Sequence, residues 1–201
     1  MLQEDSRTRP TVQHRLLQSA ANLFVNNDYH KVTTRMLAEA AETSTSSIAY
    51  YFGDKQKLYE AMIKEKFKLL GQALEESSHP ENGLDLKLLL KKYLQIHQQQ
   101  PDFPAFFTRI LAYQKGPGYQ LISEMLDKKR EKIEKHIRNK VDVDILRILI
   151  MSFSIFPFLL KPSIQQSQKS NFDDALLDNV IDAAGDILNI YTNLSVIELA
   201  S

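Results

Sequence analysis

Apolar residues recur at three- and four-residue spacing through nearly all of this chain and nowhere alternate over a useful length. That period places them on one face of successive helices, and it predicts an all-α protein of about nine helices with no strand. Leu16, Leu17, Ala20, Leu23 and Phe24 form the first stripe. "NNDY" (26–29) should stop it, because Asn and Asp tolerate the left-handed conformation that a helix end often needs. Thr33 or Thr34 is placed to cap a second helix whose apolar side is Met36, Leu37, Ala40 and Ala41. Five hydroxyl residues, Thr43 to Ser47, then compete for backbone groups, so they should break that helix and cap the next. Ile48, Tyr51 and Phe52 continue at helical spacing. Gly53-Asp54 ends this short element and caps a long helix striped by Tyr59, Ile63, Phe67, Leu70 and Leu74.

"SSHPENG" (77–83) reads as a linker. Beyond it come a helix with Leu86, Leu89, Leu90, Tyr93 and Leu94, and one opened by Pro104 in its first turn. A charged helix holds Ile122, Leu126, Ile133 and Ile137 inward. Its Lys128, Lys129, Arg130, Lys132, Lys135, Arg138 and Lys140 alternate with Glu124, Asp127, Glu131 and Glu134, which reads as a solvated face. The apolar run Ile145–Leu160 carries Arg147, Ser152, Ser154 and Pro157, is shorter than the ~20 residues of a membrane helix, and reads as a core or interface helix. A last helix carries Leu177, Val180, Ile181, Ala184, Leu188 and Tyr191.

With 201 residues, 43% of them hydrophobic, the chain can bury a substantial core in one or two domains. It has no cysteine, hence no disulfide and no thiolate chemistry. Its first ten residues lack the apolar core of a signal peptide, so a cytoplasmic protein is expected. No P-loop, dinucleotide glycine pattern, HExxH or G-x-S-x-G is present, which argues against an enzyme. The five histidines are scattered, and no cofactor or metal is expected.

Two short helices joined by a tight turn and packed on a third make a helix-turn-helix, whose second helix fits the DNA major groove. Here Ile48 and Phe52 would face the core, while Thr45, Ser46, Ser47 and Tyr50 face outward, small enough to approach base edges. Thr33, Thr34 and Arg35 at a helix N-terminus, with Tyr51 and Lys55, suit phosphate contacts. Net charge gives mild support: residues 1–58 hold seven basic against six acidic side chains. Arg7 and Arg9 would serve as an arm reaching a groove or backbone.

Residues 12–62, "LLQSAANLFVNNDYHKVTTRMLAEAAETSTSSIAYYFGDKQKLYEAM" at their heart, resemble the DNA-binding domain of the TetR family of bacterial transcriptional repressors. The resemblance lies in Thr34 to Leu37-Ala38, in Tyr50 and Phe52 at the end of the reading helix, and in Lys55 opening the next. The chain departs from the family where Glu42 and Thr43 replace a usual Gly and apolar residue, and where Ala49 replaces a frequent Tyr. The resemblance implies a DNA-binding domain over 1–56 and a helical ligand-binding and dimerisation domain over 57–201. It also implies a repressor that binds a palindromic double-stranded operator as a homodimer, is released by a small-molecule effector, and has no membrane partner. Base contacts fall to Arg35 and Thr45–Ser47, and phosphate contacts to Thr33, Thr34, Tyr51 and Lys55.

The aromatics of the middle helices suggest an apolar or aromatic effector, in a pocket of Phe67, Tyr93, His97, Phe106, Phe107, Ile110, Tyr113 and Phe153. The last two helices are the natural dimer surface, through Ile148, Ile155, Leu177, Val180, Ile181, Ala184 and Leu188, with Ala183-Ala184-Gly185 as a waist for close approach.

Overall fold

The computed structural model of the chain describes residues 10–79, 81, 83–137, 141–166 and 172–194. Arg7, Arg9, Arg138 and Lys140 lie outside the described residues. Among the described residues nine helices follow one another: α1 (Val12–Asn26), α2 (Thr34–Ala40), α3 (Thr45–Phe52), α4 (Lys55–Glu76), α5 (Leu86–Gln99), α6 (Phe103–Tyr113), α7 (Pro117–His136), α8 (Val143–Gln166) and α9 (Asp174–Leu194). The all-α expectation holds with one exception. Between α4 and α5, β1 (Ser78–His79) pairs antiparallel with β2 (Gly83–Leu84). Gly83, at φ +78°, takes a conformation that side chains disfavour, and so permits this small hairpin inside the expected linker.

The chain divides into two compact units, one running to Glu65 with Gly116–Gly118, the other comprising Lys66–Lys115 and the residues from Tyr119 onward. Helix α4 continues through the division.

In the first unit α1, α2 and α3 pack on one another. Their buried side chains are Leu16, Ala20, Phe24, Leu37, Ala38, Ala41 and Ile48, joined by Leu58, Tyr59 and Met62 of α4. Phe24, Tyr29 and Tyr59 form an aromatic cluster, with ring centroids 4.7 Å apart for Phe24–Tyr59 and 5.0 Å for Tyr29–Tyr59. Helix α1 ends without the left-handed residue expected of "NNDY": Asn27 is extended at φ −135°. Its Nδ2 instead donates to the orphan carbonyl of Leu23 at 2.9 Å, so the side chain satisfies the helix end. The caps at Thr33 and Asp54 are as expected, each side chain accepting from a backbone N–H three residues on.

In the second unit α5 packs on α8 and α9, and α6 packs on α8. Leu90, Leu94, Phe158, Leu177, Ile181 and Ala184 form its buried cluster. Pro104 lies in the first turn of α6, where its missing N–H costs nothing. Helix α8 runs past the expected stop at Lys161-Pro162 to Gln166, with Pro157 and Pro162 inside it. By length and composition it is long enough and apolar enough to cross a membrane. It nevertheless packs against α5, α6 and α9, as a core helix does.

Candidate nucleic-acid interface and ligand cleft

Helix α3 is anchored by one side chain, Ile48, which is 1% exposed. The opposite side, Thr45, Ser46, Ala49 and Tyr50, is exposed, in the spacing of one helical face. Tyr50 is 82% exposed, and its ring meets that of Tyr51 edge-on at 4.8 Å. Phe52 is half-buried, less than the core position expected of it.

The hydroxyl run has a different local job from the expected cap. Ser44 occupies the N-cap position but makes no side-chain cap bond. Its Oγ lies 2.7 Å from Ser46 Oγ and 3.2 Å from Ser47 Oγ, while Thr43 Oγ1 lies 2.8 Å from Ser47 Oγ. Ser47 is thus half-buried and tied to its neighbours. Thr45 and Ser46 stand exposed on the outer face.

The turn before α3 is held by a residue that sequence reasoning passed over. Glu42 sits at φ +49°, the left-handed region, at the position where the family resemblance expects Gly. Arg15, from α1, donates through Nε to Ala41 O at 2.9 Å and through Nη2 to Glu42 O at 3.4 Å. Its Nη1 also donates to Pro10 O at 3.0 Å. An i,i+4 stripe gives no signal for a long-range side chain-to-carbonyl clamp of this kind.

Thr33, Thr34 and Arg35 are all exposed at the start of α2. Thr33 Oγ1 accepts from Met36 N at 3.2 Å, so that hydroxyl serves the helix. Arg35 pairs with Glu39 at 2.7 Å in full solvent, a contact that another anion can displace. Lys55 lies elsewhere than expected. Its ammonium turns inward, donating to Val32 O at 2.9 Å and Tyr29 O at 3.1 Å, 4.1 Å above the Tyr29 ring. Loss of water on burial lowers its pKa from the ordinary lysine value. Of the cations described in this unit, then, Arg15 and Lys55 are spent on carbonyls, and Lys31 and Arg35 sit beside Asp28 and Glu39.

The second unit holds a cleft. Phe67, Tyr93, His97 and Phe107 line it, together with Phe103, Leu126 and Ile150. Its enclosed volume is about 50 Å³, room for a small group without rearrangement. Four expected residues are not among its walls. Phe106 and Ile110 are buried, Phe153 packs against the cluster around Phe158, and Tyr113 is 67% exposed. Two wall residues, Lys129 and Arg147, carry charge. Lys129 therefore does not belong to the solvated face expected of α7. Burial, with the neighbouring charge of Lys132, lowers its pKa to about 7. His97 is 1% exposed, and burial, followed by the charge of Lys129, lowers its pKa to about 4.

The expected dimer residues separate into two groups. Leu177, Ile181, Ala184 and Leu188 are inside the unit's own core, Val180 packs partly buried against it, and Ile155 lines the cleft. Gly185 lets α9 approach α5, since a Cβ there would lie 3.3 Å from Lys87 Cγ. Ile148 alone of the expected set is largely exposed, at 63%. Ile145, Phe156 and Leu160 share its side of α8, and Ile187 and Ile190 are exposed on α9.

A family model described as bacterial regulatory proteins, tetR family, matches residues 16–62. The HTH-type transcriptional repressor AcnR of Corynebacterium efficiens is 29% identical over 105 residues, 46% of this chain and 54% of that protein. The uncharacterized HTH-type transcriptional regulator YvkB of Bacillus subtilis is 36% identical over 69 residues, 34% of this chain and 36% of that one. The matched segments thus span about half of the first relative's length and about a third of the second's. The fold as a whole is similar to that of a TetR transcription regulator from Haloarcula marismortui, with a TM-score of 0.62, 16% identity, and 91% and 97% of the two chains covered. The helix-turn-helix geometry of α2 and α3 and the match over residues 16–62 agree: this segment is similar to the DNA-binding part of the tetR family of bacterial regulatory proteins.

Proposed function

We propose that the chain is a cytoplasmic transcriptional repressor that binds a palindromic DNA operator as a homodimer and is released by an apolar small molecule. The observation that carries the DNA reading is the division of α3 into a buried anchor, Ile48, and an exposed face of Thr45, Ser46, Ala49 and Tyr50. A helix with that division can enter a major groove with small side chains against the base edges. Thr45, Ser46 and Tyr50 are assigned to base edges, with Ser47 in support. Thr33, Thr34, Arg35 and Tyr51 are assigned to the flanking backbone. Lys55 serves by holding the α1–α2 connection in place.

One such head makes few contacts, so pairing across a two-fold axis supplies the remaining affinity. The exposed apolar residues of α8 and α9 are the surface offered for it. An effector that binds the cleft more tightly when the two heads are wrongly spaced weakens operator binding by the same coupling free energy. Helix α4, which belongs to both units, is the mechanical link. Selection from random duplex DNA at about 50 and about 200 mM salt tests the reading. Wild type should enrich a palindrome, and Tyr50→Ala should bind it more weakly with unchanged thermal stability. Equal enrichment of all sequences would refute it.

A further inference from the structure

The cleft walls are apolar except at a few points, and the charged ones are of one sign. They are Lys129 and Arg147, beside the uncharged His97, Tyr93 and Ser154, and there is no carboxylate among the lining residues. Arg147 has a partner, donating from Nη1 to Asp144 Oδ1 at 2.9 Å. Lys129 has none among the described residues. Its ammonium lies 5.3 Å from the centroid of Phe67 and 5.6 Å from that of Tyr93, so only ring faces answer its charge. His97, stacked 5.8 Å from Phe103, is buried, and its Nδ1 has no hydrogen-bond partner. A half-buried ammonium that faces only aromatic rings and a buried ring nitrogen without a partner are both costly to keep. Both costs fall when one anionic group enters the cleft.

We infer that the effector is an apolar monocarboxylate, its hydrocarbon part against Phe67, Phe103, Phe107 and Ile150 and its carboxylate on Lys129 Nζ. His97, in the tautomer protonated at Nδ1, supplies a second donor. This rests on the reading of the cleft as the effector site, and it goes further in assigning the charge of the ligand and the residue that meets it. The carboxylate converts the unmatched cation into a pair within an apolar wall, where screening by water is weak.

The test is calorimetric titration of the full chain at neutral pH with octanoate, 4-butylbenzoate, 1-octanol and octylammonium, while the methyl signal of Met151, a cleft residue, is followed by NMR. At least one of the two acids should bind at least about tenfold more tightly than the alcohol, the cation should not bind, and Met151 should shift. Which acid binds better tells an aliphatic effector from an aromatic one. Lys129→Met should remove the preference for acid over alcohol, and Lys129→Arg should keep it. If 1-octanol binds wild type as tightly as the better of the two acids and shifts Met151, the carboxylate assignment is wrong while the cleft remains an effector site. If no probe shifts Met151, the assignment and the effector site fall together. The wild-type comparison alone decides between these outcomes, whatever the stability of the variants.

Discussion

Arg15 Nε donates to the carbonyl of Ala41 across 26 residues of sequence, at 2.9 Å, and so ties the first helix to the turn that aims the third. The same guanidinium reaches the carbonyl of Glu42, whose φ of +49° is unfavourable for a residue with a Cβ. A charged donor satisfying a partly buried carbonyl is worth about 1.5–3 kcal/mol. Arg15→Met, which keeps the stem and removes the donors, should therefore destabilise the first unit by about that much. Amide exchange at Glu42 and Thr43, both hydrogen-bonded in the turn, should accelerate in step. Exchange at wild-type rates would mean that the turn holds itself.

Gly53 closes α3 at φ +89°, ψ −54°, a region that side chains rarely occupy. A Cβ there would meet only the flexible side chain of Lys57, its Cδ and Nζ at 3.4 Å, so the cost of adding one is backbone strain rather than collision. Gly53→Ala should lose about 1–3 kcal/mol. Loss of operator affinity should accompany the loss of stability, since the end of the reading helix frays with its cap. A thermal melt matching wild type would show that the backbone there relaxes without cost.

Lys55 offers a sharper test, because two roles predict different salt behaviour. A lysine on a phosphate reduces the slope of log affinity against log salt by about 1 when removed. The ammonium here is engaged by Tyr29 O and Val32 O and stands over the Tyr29 ring. Lys55→Met should accordingly weaken the first unit and lower affinity with the salt slope unchanged. A slope shallower by one would restore the phosphate contact.

The helical period was legible because burial on one face imposes it. Leu16, Ala20 and Phe24, then Leu86, Leu89, Leu90, Tyr93 and Leu94, then Leu177, Ile181, Ala184 and Leu188 are core, while Leu17, Leu23 and Val180 are half-buried at the margins of their stripes. The period says only that a face is covered, not by what. Ala184 and Leu188 were therefore open to assignment to a second copy, although α5 of the same chain already covers α9. Lys129 was hidden for the converse reason. In sequence it is one of a run of cations alternating with acidic residues, and its inward position follows from the rings of Phe67 and Tyr93, more than thirty residues away. Lys55 is likewise turned inward by carbonyls that no local pattern announces.

The second unit should respond to pH through His97 and Lys129, and the signs follow from burial. His97, with a folded pKa of about 4 against an ordinary 6.5, is neutral in the fold while the unfolded chain takes up a proton, so stability falls as pH drops from 6.5 toward 4. Lys129, at about 7 against 10.5, behaves alike in its own window: stability falls as pH drops from 10.5 to 7 and then levels off. The groups facing the pair are Tyr93, Arg147 and Lys132, none of them a carboxylate. Each pH unit within a window is worth at most about 1.4 kcal/mol. Urea midpoints at pH 5, 7 and 9 should rise, with Lys129→Met flattening the upper step and His97→Gln the lower. Parallel curves for wild type and Lys129→Met above pH 7 would show that the ammonium is hydrated in the fold.

The exposed residues of α8 and α9 divide cleanly from the buried ones, and that division makes assembly separable from folding. Phe156 and Ile148 are more than half exposed, so replacing either removes little packing within the unit. Ile181, 7% exposed, is part of the cluster with Leu90 and Phe158. If two copies pair through the exposed stripe, each large apolar side chain covered contributes about 1.5–3 kcal/mol, and a carboxylate placed among them opposes pairing strongly. Phe156→Glu should sediment as a monomer with its helical content intact. Its operator affinity should become steeply dependent on protein concentration, because pairing then has to occur on the DNA. Ile181→Ala should do the reverse, losing about 2–5 kcal/mol of stability while the folded fraction keeps its stoichiometry. Sedimentation velocity on the two variants therefore separates the faces, and an unchanged sedimentation coefficient for Phe156→Glu would place the pairing surface elsewhere on the molecule.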